Sequence, residues 1–320
     1  MLPMSFIDLG NSGARRQRDV VAVVGRRQVR TALRAGEVHL LWPGVLVDPA
    51  RATEPLTLLA AACLAVRKAI VAGPSAAYLH GLTALAPTPV HLVVPYDTHV
   101  RRRAGIVIHN ASGLEHDREE RHGLPVLCLE RVVSDLACTL SPPDALAVLD
   151  EAFARCDEID RPMFRRRLRE RVQDRPDPRG TRIGRRLVDL ATGRAASPAE
   201  SWLLWLVVDL GFPVPEANVP VHDVDGRPLY RVDLGWRSLR IAIEYNGYAA
   251  HAGRKKVDEA RIRDLERRGW IVIVIEVDDL KSPARLEKEL YEAFARRGVD
   301  LRGRVAGTLR PLPHRAPRVR

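Results

Sequence analysis

The residues best suited to chemistry gather in the last third of the chain. Asp233 and Glu244 stand in the run RVDLGWRSLRIAIEYNG (231–247), each flanked by apolar neighbours that read as β-strand. A carboxylate in an apolar strand costs free energy unless a cation, a donor or water meets it. Either both acids face solvent or something positive sits between them. Adjacent strands lie about 4.8 Å apart, so two carboxylates opposite each other can share one divalent cation. Mg2+ takes oxygen ligands at about 2.1 Å and keeps several waters. In that role a metal activates water for attack on phosphorus and offsets charge on the leaving oxygen. A third acid, Glu200, lies in the first turn of an apolar helix. Ser197-Pro198-Ala199-Glu200 is also a capping box, which accounts for the glutamate without any metal.

The turn between the two strands decides whether Asp233 and Glu244 meet. A tight hairpin closing at Trp236-Arg237 pairs Asp233 with Arg240 and leaves Glu244 roughly 13 Å away, at about 3.3 Å per residue. A shared cation therefore requires GWRSLR to be a wide loop or bulge. By strand parity Glu244 lies with Arg240, Ala242 and Asn246, which on periodicity alone also fits a solvated face.

The surrounding elements read clearly. SPAESWLLWLVVDLG is a helix apolar nearly all round and so buried. ANVPVHDVDGRPLYRVDL gives two strands about an Asp225-Gly226 turn, and LRIAIEYNG a third. GRKKVDEARIRDLERRG is an amphipathic helix. WIVIVIEV is an unbroken apolar strand, the pattern of a sheet centre covered on both faces. SPARLEKELYEAFARRG closes the order α-β-β-β-α-β-α, compact enough for one domain over 197–299.

This order, with the line RVDL…IAIEYNG…H…D…R…DL…G, resembles the PD-(D/E)XK phosphodiesterase superfamily, in the branch related to very-short-patch-repair endonucleases found in actinobacterial proteins. The resemblance covers roughly 197–290 and implies a restriction-endonuclease-like αβββαβ core. By it, Asp233 and Glu244 are the metal-binding acids for Mg2+ or Mn2+, and Glu200 is the helix acid that some members add. His251 is the histidine after the glycine turn, and Asp258, Arg261 and Asp264 match the helix positions that follow. The superfamily's lysine, two residues after the glutamate, is Asn246 here, which orients a ligand through its amide but carries no charge. Lys255 or Lys256 then supplies the cation from the next helix.

The N-terminal part has the order of a winged helix-turn-helix over 1–55. RRQVRTALRAG places Val29 and Leu33 on one face, turns Arg26, Arg27, Arg30 and Arg34 toward the other, and stops at Gly36. Two short strands follow around Pro43-Gly44. In that arrangement the basic helix enters a DNA major groove and the hairpin touches phosphates. Residues 56–160 read as a mixed α/β middle domain, with Ser75 an N-cap of the helix after Gly73-Pro74. Patterns such as SAAYLHGL and LERVVSDLA resemble the AbiEi antitoxin-like architecture, which implies a toxin as partner. His80, His91, His109, His116 and His122 are irregularly spaced, without an HExxH motif.

Residues 161–196 form an arginine-rich helical connector, in which 161–194 hold 12 arginines against four acids. Arg166 and Arg169 are its candidate phosphate contacts, and a solvated connector is the plain alternative. The tail 300–320 is rich in Pro, Gly and Arg and reads as a disordered basic extension.

Composition bounds the whole. The chain has 320 residues, 46% hydrophobic and 28% charged, ordinary for a soluble globular protein and long enough for two or three domains; its elements read as a multidomain α/β chain. Its net charge of +11 favours a polyanionic partner, DNA before RNA, although the excess of Arg over Lys also fits a GC-rich genome. The longest apolar run, around 56–66, is short of a membrane span, and the N-terminus has no secretory pattern. Four scattered cysteines without a CxxC pair argue against a zinc site and a disulfide framework, and for the cytoplasm. Two functions fit: a Mg2+-dependent DNA endonuclease, and a non-catalytic DNA-binding regulator built on the same fold.

Overall fold

The computed structural model describes residues 7–246 and 255–307, and over these the chain is mixed α/β, with twelve α-helices and three sheets. It divides into two compact units, Met1–Asp135 and Leu136–Arg320. No helix among the described residues is long and apolar enough to cross a membrane.

In the first unit β1 (Ala14–Arg16) leads into α1 (Gln17–Val24) and α2 (Arg26–Ala35). Gly25 separates the two helices, and Gly36 ends α2 in the left-handed conformation at φ 72°, which a side chain disfavours. The hairpin β2 (His39–Trp42) and β3 (Val45–Val47) follows, and the sheet order is β1-β3-β2, antiparallel throughout. Val20, Val29, Ala32, Val38 and Leu46 form the core beneath it with Ile7 and Leu9.

Next come α3 (Pro55–Ala65), β4 (Ile70–Val71), α4 (Gly73–Leu79), β5 (Val90–Val94), β6 (Ile106–Asn110), β7 (Arg118–Arg121) and β8 (Leu124–Leu127). Their five strands run in the order β6-β5-β4-β8-β7. Ser75 is not an N-cap: Ala72 holds that position. The Ser75 hydroxyl instead donates to the Pro87 carbonyl (2.6 Å) and accepts from the His91 N–H (2.9 Å), tying α4 to β5. All four cysteines are free, and burial pushes the Cys63 thiol up to about 12. Helix α5 (Leu129–Thr139) spans the division between the units.

The second unit opens with α6 (Pro142–Ala154), α7 (Arg161–Gln173) and α8 (Thr181–Leu190). The arginine-rich stretch is a packed hairpin of helices that buries Phe164, Leu168, Val172, Ile183, Leu187 and Val188. Fully burying such an aliphatic or aromatic side chain contributes about 1.5–3 kcal/mol. Asp150 of α6 is 2% exposed and accepts from the N–H groups of Thr192 (2.8 Å) and Gly193 (2.9 Å) and from the Ser201 hydroxyl (2.8 Å). Gly193 (φ 68°) must be glycine here, because a Cβ would lie 2.7 Å from the Ala154 nitrogen.

The chain then runs through α9 (Pro198–Asp209), β9 (Glu216–His222), β10 (Pro228–Trp236), β11 (Ile241–Asn246), α10 (Lys255–Arg267), β12 (Ile271–Glu276), α11 (Val277–Lys281) and α12 (Ala284–Arg296). The sheet order is β12-β11-β10-β9, with β11 and β12 parallel and the other pairs antiparallel. The run WIVIVIEV, expected at the sheet centre, is therefore an edge strand. Of its residues Ile273 and Ile275 are buried, with α10 and α12 among the helices packed against it. At the other edge β9 carries Pro220, and Asn218 at φ 53°.

The tail expected to lack order over 300–320 is fixed over 300–307. The Arg304 guanidinium lies 4.7 Å from the Phe212 ring centroid, pairs with Glu287 and donates to the Leu210 carbonyl (3.3 Å), and the Gly307 N–H donates to the Asp209 carbonyl (2.7 Å). Residues 308–320 lie outside the described residues.

Candidate functional site

The connection between β10 and β11 builds the site. A turn of 3-10 helix, Arg237–Leu239, and Arg240 in the left-handed region (φ 49°) form the wide loop, with Trp236 paired to Ile241, Gly235 to Ala242 and Leu234 to Ile243. Continuing that register places Asp233 beside Glu244. There the ladder gives way to a side chain: the Asp233 Oδ2 accepts the Tyr245 N–H at 2.7 Å.

Glu244 is 9% exposed and does not face solvent. Ala242, two residues earlier on the same side of the strand, belongs to the core cluster of Leu265 and Trp270. Helix α10 covers this side and brings Arg261 onto the carboxylate, Nη2 to Oε1 at 2.8 Å and Nη1 to Oε2 at 3.2 Å. A positive group that the sequence called for beside the acids is thus Arg261, which bonds Glu244 and acts on Asp233 through its charge alone. Its helical phase was the available signal, since it lies one turn before the buried Leu265 and so on the stripe that faces the core.

The electrostatics follow from burial. Desolvation and the Asp233 anion push the Glu244 carboxyl up to about 8, against the pull of Arg261. Burial also raises Asp233, opposed by the Tyr245 N–H and Arg261. Glu200 is raised by burial and by Asp233. Two carboxylates side by side offer the kind of oxygen donors that Mg2+ or Mn2+ prefers, and both Glu244 oxygens here accept from Arg261.

Glu200 sits differently. Its Oε2 accepts from the Ala196 N–H (2.8 Å) and the Asn218 amide (3.1 Å), its Oε1 accepts from the Ser197 hydroxyl (3.1 Å), and the Ser197 Oγ accepts the Glu200 N–H (3.3 Å). The reciprocal cap is closed onto Ala196 and not Ser197. Among the described residues no three His, Cys, Asp or Glu side chains are grouped to hold a metal. His251 lies outside the described residues. Lys255 opens α10, and Asn246 ends β11 exposed.

The two candidate DNA surfaces differ in how their arginines are occupied. On α2, Arg26, Arg27, Arg30 and Arg34 are exposed, and their guanidinium groups make no ion pair or hydrogen bond among the described residues. On α7, Arg169 pairs with Asp189, and Arg166 lies 3.7 Å from Glu170 and contacts the Met163 sulfur. Arg165 stacks over Phe153 (4.4 Å) and donates to the carbonyls of Val188, Asp189 and Ala191, closing the C-terminal end of α8. Much of the arginine excess in this stretch serves packing.

No family model matches the chain. The uncharacterized proteins MT2308 and Rv2248 of two Mycobacterium tuberculosis strains are each 30% identical to it over 290 residues, covering 88% of this chain and 99% of theirs. The crystal structure of the Rv2827c protein from the same species is similar at a TM-score of 0.39 and 19% identity, covering 66% of this chain and 83% of that one. With near-complete coverage of both sequences, this chain belongs to the family of MT2308 and Rv2248.

Proposed function

We propose that the protein is a divalent-cation-dependent DNA endonuclease, with a PD-(D/E)XK-like core in its second unit and a winged helix-turn-helix at the start of its first. The observation that carries this reading is the wide β10–β11 turn, which brings the Asp233 and Glu244 carboxylates side by side in a desolvated place. Asp233 and Glu244 would hold Mg2+ or Mn2+, through two carboxylates plus substrate phosphate oxygens. When bound, the cation supplies Lewis-acid polarisation of the scissile phosphate and offsets charge on the leaving oxygen. The protein's own part is to orient. The Tyr245 N–H fixes the Asp233 carboxylate, and burial under α10 keeps water from screening Glu244. The unpaired arginines of α2 supply sequence-independent attraction to the DNA backbone.

Supercoiled plasmid incubated with the full chain and Mg2+ or Mn2+ is expected to be nicked or linearised. Cleavage should vanish with EDTA and in Asp233→Ala and Glu244→Ala. Cutting that survives both variants sinks the assignment. A second reading, a non-catalytic antitoxin-like DNA-binding regulator, is favoured by Asn246 at the lysine position. It expects gel shifts on the chain's own promoter without cutting under any metal, and association with a toxin encoded beside it.

A further inference from the structure

The cation at Glu244 belongs to the chain itself. Both carboxylate oxygens that a divalent ion would use already accept from Arg261, at 2.8 Å and 3.2 Å. Arg261 is also held elsewhere: Nη2 donates to the Arg231 carbonyl, and the guanidinium lies 5.9 Å from the Tyr230 ring centroid. These contacts keep it beside the site once it leaves Glu244. Asp233 is half ready for a ligand, since Oδ2 is fixed by Tyr245 and Oδ1 has no hydrogen bond among the described residues. The balance of charge points the same way. Once both carboxyls are ionised, two carboxylates and one guanidinium leave the site net negative, and it repels a phosphodiester. With a divalent ion added and the guanidinium retained nearby it becomes net positive and attracts one.

We propose that Arg261 is a displaceable internal counter-ion: it holds both Glu244 carboxyl oxygens in the metal-free protein, and a divalent cation arriving at Asp233 and Glu244 expels its guanidinium toward the phosphodiester of the nucleic acid. The inference rests on the reading of Asp233 and Glu244 as cation ligands. It makes cation and DNA binding mutually reinforcing, because both favour the same position of Arg261, and linkage requires the effect to be reciprocal.

Mn2+ titrated calorimetrically into the full-length protein tests the competition, with Arg261→Gln, Arg261→Lys and Glu244→Gln alongside the wild type. Arg261→Gln should bind Mn2+ about tenfold more tightly, within the range of ordinary coupling energies. Arg261→Lys keeps the charge but loses the fork, so it should fall between the two, and it serves if Arg261→Gln does not fold. Methylguanidinium should weaken Mn2+ binding to Arg261→Gln more than to the wild type. In a parallel binding assay with a short duplex at fixed ionic strength, Ca2+ in place of EDTA should raise wild-type affinity more than that of Arg261→Gln. If the Arg261 variants fold yet bind Mn2+ no more tightly than the wild type, Arg261 merely orients Glu244 and the inference fails while the cation site stands. If neither the wild type nor the Arg261 variants bind Mn2+, or Glu244→Gln binds it unchanged, the cation-site reading falls with it.

Discussion

Burial and the neighbouring Asp233 anion push the Glu244 carboxyl up to about 8 in the folded chain, whereas a glutamate in an unfolded chain loses its proton near about 4.3. Between those values the native state holds a proton that the unfolded state has released, so stability falls as pH rises through the window and is recovered below it. Glu244→Gln removes this slope. In urea melts without added metal, the variant should lose less stability than the wild type between about pH 5 and about pH 8; an unchanged difference would show that Glu244 is not held protonated. Asp150 tests a different use of a buried acid. It satisfies two backbone N–H groups and a hydroxyl, so Asp150→Ala should cost about 2–4 kcal/mol in denaturant unfolding. Asp150→Asn keeps an acceptor and should cost less than half as much. Neither role was legible from sequence. The partners of Asp150 lie 42, 43 and 51 residues away in the chain, and the pattern that isolated Asp233 and Glu244 could not say which cation met them.

Among the elements, helix α2 and the arginine-rich α7 looked alike as sequences and differ as surfaces. An arginine that already pairs with a carboxylate must give up that partner to meet a phosphate, and one facing water has none to lose. Arg26→Ala with Arg30→Ala should therefore lower DNA affinity and reduce the slope of log K against log salt by about one per arginine removed. Arg166→Ala with Arg169→Ala should change that slope by less. Filter-binding or anisotropy titrations at several salt concentrations separate the two; equal effects would make the surfaces equivalent. The boundaries of α2 and the β2–β3 hairpin were legible because Gly36 and Pro43-Gly44 leave few backbone choices. The position of β12 was not, since an apolar run does not say whether strands flank it on both sides; here it lies at the edge with only Ile273 and Ile275 buried. The wide β10–β11 loop was legible only as a condition, that the acids meet if the turn is wide.

On the scale of the whole chain, the sequence suggested five segments and the folded protein has two compact units. The difference arises where composition changed without a change of core. Arginine density marks 161–196 as distinct, yet its apolar residues pack with α6. Likewise 300–307 reads as tail and is held by Arg304 on Phe212. The outer strand β9 has a consequence for self-association. Pro220 cannot donate a backbone hydrogen bond, and the positive φ of Asn218 interrupts the strand geometry an incoming segment would need. That rim offers a poor template for β-augmentation, so fibrils or swapped oligomers growing outward from β9 are disfavoured.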